Sequence, residues 1–301
     1  PVAKNFYLSG FLIGLLAFLL YVQFFEQFNN KILFRREIED KTNVPVIGEI
    51  VQAKTKEPVA ISEGKRTVIA EQFRALRTNL AFMGFNEVNK TLLVTSSISG
   101  EGKSFIAINL AIGITLTGKR VALMEMDMRK PKLSKQLNVS RHPGISSYLV
   151  NKASIEEIIK PSQFEHLFVI PAGPIPPNPA ELIDSPAFGV MMKELNERFD
   201  YIIIDTAPIG PVTDAQLLAQ YAQTSIFVIR HKHTPNVFLR MIDGFYKEKK
   251  FNNMSIVFNG IKPRGVSLFN YGFGGYGNGY GYGYGYGYGN DYGNSSKDTE
   301  Y

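Results

Sequence analysis

The chain has 301 residues with no cysteine, no tryptophan and only 4 histidines. Absence of cysteine removes disulfide staples, thiolate metal sites and thiol nucleophiles, and is compatible with a reducing compartment. Histidines are too few to carry the chemistry. His231 and His233 sit two residues apart just after an apolar run, but no third ligand in a recognisable motif joins them, so they read as a surface loop. Charge of one sign is not in large excess: 33 Lys+Arg against 27 Asp+Glu gives +6, and hydrophobic residues make up 45%. These values exclude a wholly disordered chain and a polytopic membrane protein.

Long apolar runs are scarce, with one exception. Phe6 to Phe25 contains no charged residue over 20 positions. A helix of that length, rising ~1.5 Å per residue, covers the ~30 Å of a bilayer core. Residues 1–30 are therefore expected to hold a transmembrane helix and its flank. Lys31, Arg35, Arg36 and Lys41 follow the run, whereas only Lys4 precedes it; the positive-inside rule then places all that follows on the cytoplasmic side. Because the chain opens on Pro1, it reads as the end of a longer protein whose preceding part lies outside.

Residues 31–66 are polar and mixed in charge around an apolar island, Val44 to Ile50, and read as a juxtamembrane linker with a small docking strand. The pattern changes over 67–265. Apolar, β-branched runs recur at Thr91–Ser96, Arg120–Met126, Leu167–Pro171, Tyr201–Asp205, Ser225–Arg230 and Met254–Phe258. Helical spacing occupies Phe105–Leu116, Pro186–Arg198, Asp214–Tyr221 and Pro235–Lys249 between them. Continuous apolar strands alternating with helices predict an α/β domain with a mostly parallel sheet covered on both faces.

The first of these strands runs into Ser97-Ile-Ser-Gly100-Glu-Gly102-Lys103-Ser104 and then directly into an apolar helix. This is the P-loop arrangement, with Ser97 at the usual first glycine. Backbone N–H groups of Ser99, Gly100, Glu101, Gly102, Lys103, Ser104 and Phe105 cradle phosphates, Lys103 reaches the terminal ones, and the Ser104 hydroxyl ligates Mg²⁺. A second strand ends in Glu125-Met-Asp127-Met-Arg129, whose two acids alternate to one side at the strand's C-terminal end, where ligands collect in such sheets. They can hold Mg²⁺ or its waters, or accept a proton from an attacking hydroxyl. A third apolar strand ends in Asp205, the Walker B position.

Three motifs in this order resemble the bacterial tyrosine kinases that act with polysaccharide co-polymerases. The ParA and MinD ATPases resemble them in fold but place a second lysine early in the loop, where this chain has Ile98. Glu71-Gln-Phe-Arg74-Ala-Leu-Arg77 fits the family's ExxRxxR helix, and Pro177-Asn178-Pro179-Ala-Glu181-Leu182 its NPxEL segment. The resemblance implies ATP and Mg²⁺ as cofactors, with Ser104, Asp127 and Asp205 around the metal and Lys103 stabilising the transferring phosphoryl group. Arg129 would fix the strand end or contact phosphate. The catalytic base is open between Glu125 and Asp127, because the family's second motif begins with Asp where this chain has Glu125. Glu71, Arg74 and Arg77 are implied to join subunits in a ring; read alone they would be a solvated helix face. Arg230 and Asn259 are position-based choices for adenine contacts.

Residues 266–301 form the tail. Between Tyr271 and Gly293, Tyr and Gly fill 19 of 23 positions. Alternating glycine without aliphatic residues predicts a flexible segment. Alone it would read as self-associating low complexity; beside the kinase motifs, Tyr271, Tyr276, Tyr280, Tyr282, Tyr284, Tyr286, Tyr288, Tyr292 and Tyr301 are candidate phosphoacceptors. The family further implies partners in the polysaccharide polymerase and export machinery and a protein-tyrosine phosphatase, with no nucleic acid. The competing reading is a membrane-tethered ParA/MinD-like ATPase switch whose tail recruits partners.

Overall fold

A computed structural model describes residues 2–27, 30–53, 57–61, 67–210 and 212–262, with side chains for these residues except 2–6 and 22–27. The elements run α1 (Val2–Gln27), α2 (Arg35–Glu39), β1 (Val46–Val51), α3 (Val68–Phe82), β2 (Thr91–Ser96), α4 (Lys103–Thr115) and β3 (Val121–Glu125). Then follow α5 (Leu133–Gln136), α6 (Ile145–Leu149), α7 (Ile155–Ile158), β4 (Lys160–Pro161), β5 (Leu167–Ile170), α8 (Pro179–Ile183) and α9 (Pro186–Arg198). The last part holds β6 (Tyr201–Asp205), α10 (Asp214–Ala219), β7 (Thr224–Arg230), α11 (Val237–Lys247) and β8 (Met254–Ile261).

The strands form one eight-stranded sheet in the order β1-β8-β7-β2-β6-β3-β5-β4. Every pairing is parallel except β4 with β5. Strand alternation sends Leu93, Ile202 and Ile204 to one face and Leu92, Val94 and Ile203 to the other, so the core divides into two layers. α4 covers the second face and is apolar on nearly all sides, with Ile106, Ile108, Leu110 and Ile112 buried. Phe188, Met191 and Leu195 of α9 cover the first. The strands are buried on both sides and read as continuous apolar runs for that reason.

The docking strand expected in the 31–66 stretch is β1. It becomes the sheet's edge, paired with β8 from Val46 opposite Ile256 to Val51 opposite Ile261, with register shifts between Val46 and Gly48 and between Ile50 and Val51. Ile32, Ile38 and Val44 around it are buried, so this stretch contributes to the core.

α1 is 26 residues long. Its described side chains, residues 7–21, are all exposed, Phe11 at 68% and Ile13 at 68% among them. Among the described residues no helix is long and apolar enough to cross a membrane. The tail and all its candidate phosphoacceptors, Tyr271 to Tyr301, lie outside the described residues.

Candidate nucleotide and phosphoryl-transfer site

β2 delivers the P-loop to the C-terminal edge of the sheet, and α4 starts at Lys103. Gly100 and Gly102 take φ of +89° and +96°, which side chains disfavour. A Cβ on Gly102 would lie 2.2 Å from Asn259 Nδ2, so glycine is needed there for close approach as well.

The outside of the loop is held by side chains from the far strands. His233 Nε2 lies 3.0 Å from the Ser99 carbonyl, Arg230 Nη1 donates to the Gly100 carbonyl at 2.6 Å, and Asn259 Nδ2 donates to the Glu101 carbonyl at 2.9 Å. Arg230 and Asn259, chosen above for adenine, are thus committed to the loop backbone. Glu101 is fully buried; its carboxylate accepts from the Ile98 amide at 2.8 Å and from the Thr234 hydroxyl. Burial pushes the Glu101 carboxyl up, against the hydrogen bond from Thr234. The same turn bonds to the segment that follows α1: the Ile32 amide donates to the Thr234 carbonyl at 2.9 Å, and the Lys232 amide to the Ile32 carbonyl at 2.9 Å.

The acidic half comes from β3 and β6, which place Glu125 opposite Asp205. Lys103 Nζ stands 3.7 Å from Asp127 Oδ2. Asp205 is 1% exposed, and burial pushes its carboxyl up to about 7 against the pull of Lys103 and a hydrogen bond from Ser104; Asp127 and Glu125 push it further up. Its Oδ1 has no protein partner. A buried carboxylate oxygen without a donor, beside a hydroxyl at a helix start, suits a hard divalent cation. Among the described residues no cluster of three or more His, Cys, Asp and Glu is placed to hold a metal. A cation here would complete its shell with phosphate and water, as magnesium does.

Residues 89–237, from β2 into α11, match the AAA domain family. The chain is 39% identical over 171 residues to tyrosine-protein kinase YwqD of Bacillus subtilis, covering 57% of this chain and 72% of that protein. It is 31% identical over 231 residues to tyrosine-protein kinase CpsD of Streptococcus agalactiae, covering 76% of this chain and 95% of that one. The chain belongs to the bacterial tyrosine kinase family. Among solved structures, the chimerical protein CapA2B2 matches at a TM-score of 0.70 and 29% identity, over 76% of this chain and 100% of that one.

Within this kinase the structure brings Lys103, Ser104, Glu125, Asp127 and Asp205 together. Arg129 turns to Asp214, with Nε 3.1 Å from Oδ2 and Nη2 3.2 Å from Oδ1. The Asp214 side chain is completely buried, and its hydrogen bonding raises the Arg129 pKa. Arg129 thus ties the segment after β3 to α10. Phe105 packs edge-on against Phe73 of α3, 5.8 Å between ring centres.

The α3 motif lies apart from this cluster. Glu71 and Arg74 form an exposed ion pair. Arg77 is half-buried and donates to the Gly113 carbonyl in the last turn of α4 at 2.5 Å; burial, with Arg74 nearby, pulls its pKa down. A cation there complements the helix C-terminus. Sequence reasoning missed Thr234, Asp214 and the P-loop role of His233. Each acts on a residue far away in sequence, and no local pattern announces it.

Proposed function

We propose that the kinase transfers the γ-phosphoryl group of ATP, with Mg²⁺, to tyrosines of the C-terminal tail of a neighbouring copy. The observation that carries this is the joint placement of Lys103, Ser104, Asp127 and Asp205 at one sheet edge, in a chain whose relatives are named tyrosine-protein kinases. Lys103 at the start of α4 faces the charge that develops as the phosphoryl group moves, and the loop amides orient the phosphates. Asp205 and the Ser104 hydroxyl are the groups that would hold a magnesium ion, which would supply charge neutralisation to the phosphates. Asp127, with 15% of its side chain exposed beside Lys103, is open to an incoming tyrosine hydroxyl.

The candidate acceptors Tyr271, Tyr276, Tyr280, Tyr282, Tyr284, Tyr286, Tyr288, Tyr292 and Tyr301 suit transfer between copies, and the exposed Glu71–Arg74 pair of α3 is the proposed contact in a ring. α1, with apolar side chains exposed along its described length, is proposed to anchor the kinase in the inner membrane, its domain and tail in the cytoplasm. The family resemblance extends this to control of capsular or exopolysaccharide polymerisation and export, opposed by a tyrosine phosphatase. Ile98 and the tyrosine-dense tail speak against an ATPase switch.

A mixing experiment tests the reading. A Lys103→Met chain with an intact tail is incubated with Mg-ATP and an active chain ending at residue 265. Phosphotyrosine on the Lys103→Met chain is expected; free phosphate without labelled protein would contradict it and favour the switch.

A further inference from the structure

We propose that Glu125 is a positioning residue, not the group that receives the acceptor tyrosine's proton. The proposal rests on the kinase reading above and assigns one of the two carboxylates at the β3 end.

Glu125 is the last residue of β3 and is 0% exposed. Each of its oxygens is already engaged by a backbone donor from a different segment. Oε1 accepts from the Ser134 amide in α5 at 3.2 Å, and Oε2 accepts from the Ala172 amide just after β5 at 3.2 Å. The Ala172 peptide is shared further: its carbonyl accepts from the Ser146 amide at 3.0 Å. One carboxylate thus ties β3 to α5 on one side and to the turn after β5 on the other. The next pleat presents Asp127 beside Lys103, and its Oδ1 accepts from the Lys130 amide at 3.0 Å, closing the turn between β3 and α5.

Geometry separates the two acids. A proton acceptor must come within hydrogen-bond reach of the phenol oxygen, about 2.6–3.2 Å. Glu125 points into the protein, where reaching it would require breaking two backbone bonds and opening a buried site. The Asp127 side chain keeps 15% of its surface exposed, beside Lys103, and its exposed part is reached without such an opening. Length matters as well: glutamate carries its carboxylate one methylene, ~1.5 Å, beyond an aspartate at the same strand position. That reach takes it to the Ser134 and Ala172 amides.

The test uses the full chain in detergent, as wild type, Glu125→Gln and Glu125→Asp, with tail labelling and amide hydrogen exchange measured on each. Glutamine has the same size and one acceptor oxygen, and its amino group faces one of the two N–H donors. Both variants are expected to keep kcat within about tenfold of wild type, and to exchange faster at Leu133–Leu137 and at Pro171–Gly173 while α4 keeps its protection. Glu125→Gln losing about 10²–10⁴-fold in kcat, as removal of a general base does, would overturn the proposal. So would Glu125→Asp remaining active while Glu125→Gln is dead, or unchanged exchange in both segments of both variants. If wild type fails to label its tail, the kinase reading fails instead, and the exchange data still judge the Glu125 contacts.

Discussion

The two halves of the site are built differently. The phosphate half is a short glycine-rich turn in which one buried side chain, Glu101, accepts from the loop's own Ile98 amide. It is held by Arg230, His233, Thr234 and Asn259, which arrive from β7, the turn after it and β8. The carboxylate half is built from strand ends that pair directly, Glu125 opposite Asp205, with Arg129 and Glu125 fastening the turns that follow. A backbone cradle needs outside support because glycine confers no rigidity. Strand ends inherit theirs from the sheet.

Breaking each half separately sharpens that contrast. The largest effect should come from Lys103→Met, which removes the cation facing the transferring group and is expected to lower labelling by about 10²–10³-fold or more, measured as phosphotyrosine per chain over time.

On the carboxylate side, Asp205 has a folded-state pKa of about 7 against an ordinary 3.8. The folded, metal-free protein therefore holds that proton more tightly than the unfolded chain. The associated stability is fully present below pH 4 and is lost as pH rises through 7. Asp205→Asn cannot titrate. In chelator, its unfolding free energy should gain on wild type between pH 4 and 8, by an amount on the order of a few kcal/mol; parallel pH profiles would refute the assignment.

Asp214→Asn should destabilise the protein by roughly 2–3 kcal/mol in denaturant titration. That is below the about 3–5 kcal/mol typical of fully buried pairs, because the Arg129 side chain stays 42% exposed. On the phosphate side, Thr234→Val removes the hydroxyl that donates to Glu101 and accepts from the Arg230 amide at 2.8 Å. A cost of about 1–2 kcal/mol, felt as roughly tenfold weaker nucleotide binding, is expected by calorimetry. Undiminished affinity would show that the grip on the loop is dispensable.

The sheet was legible in the sequence where strands were apolar on both faces. Thr91–Ser96 and Tyr201–Asp205 are strands and Pro186–Arg198 is a helix over those same residues. β1 was legible as a docking strand, but its place at the edge beside β8 was not. A six-residue run carries no record of its partner, and parallel neighbours come from distant parts of a chain. In the site, the P-loop and the acids ending β3 and β6 announced themselves by local order. The engagements of Arg230 and Asn259 with loop carbonyls, of Arg129 with Asp214 and of Glu125 with two amides did not, because each partner lies on another element. Residue type alone could not distinguish Glu125 as base from Glu125 as fastener; the proposed role as fastener rests on its burial and two amide hydrogen bonds.

The central claim is that this site phosphorylates tyrosine, and the most direct measurement is the intact mass of the full chain after incubation with Mg-ATP, followed by fragment masses. The account predicts a ladder of phosphate additions confined to the segment from Tyr271 to Tyr301 and absent in Lys103→Met. An unshifted mass with inorganic phosphate accumulating would contradict it.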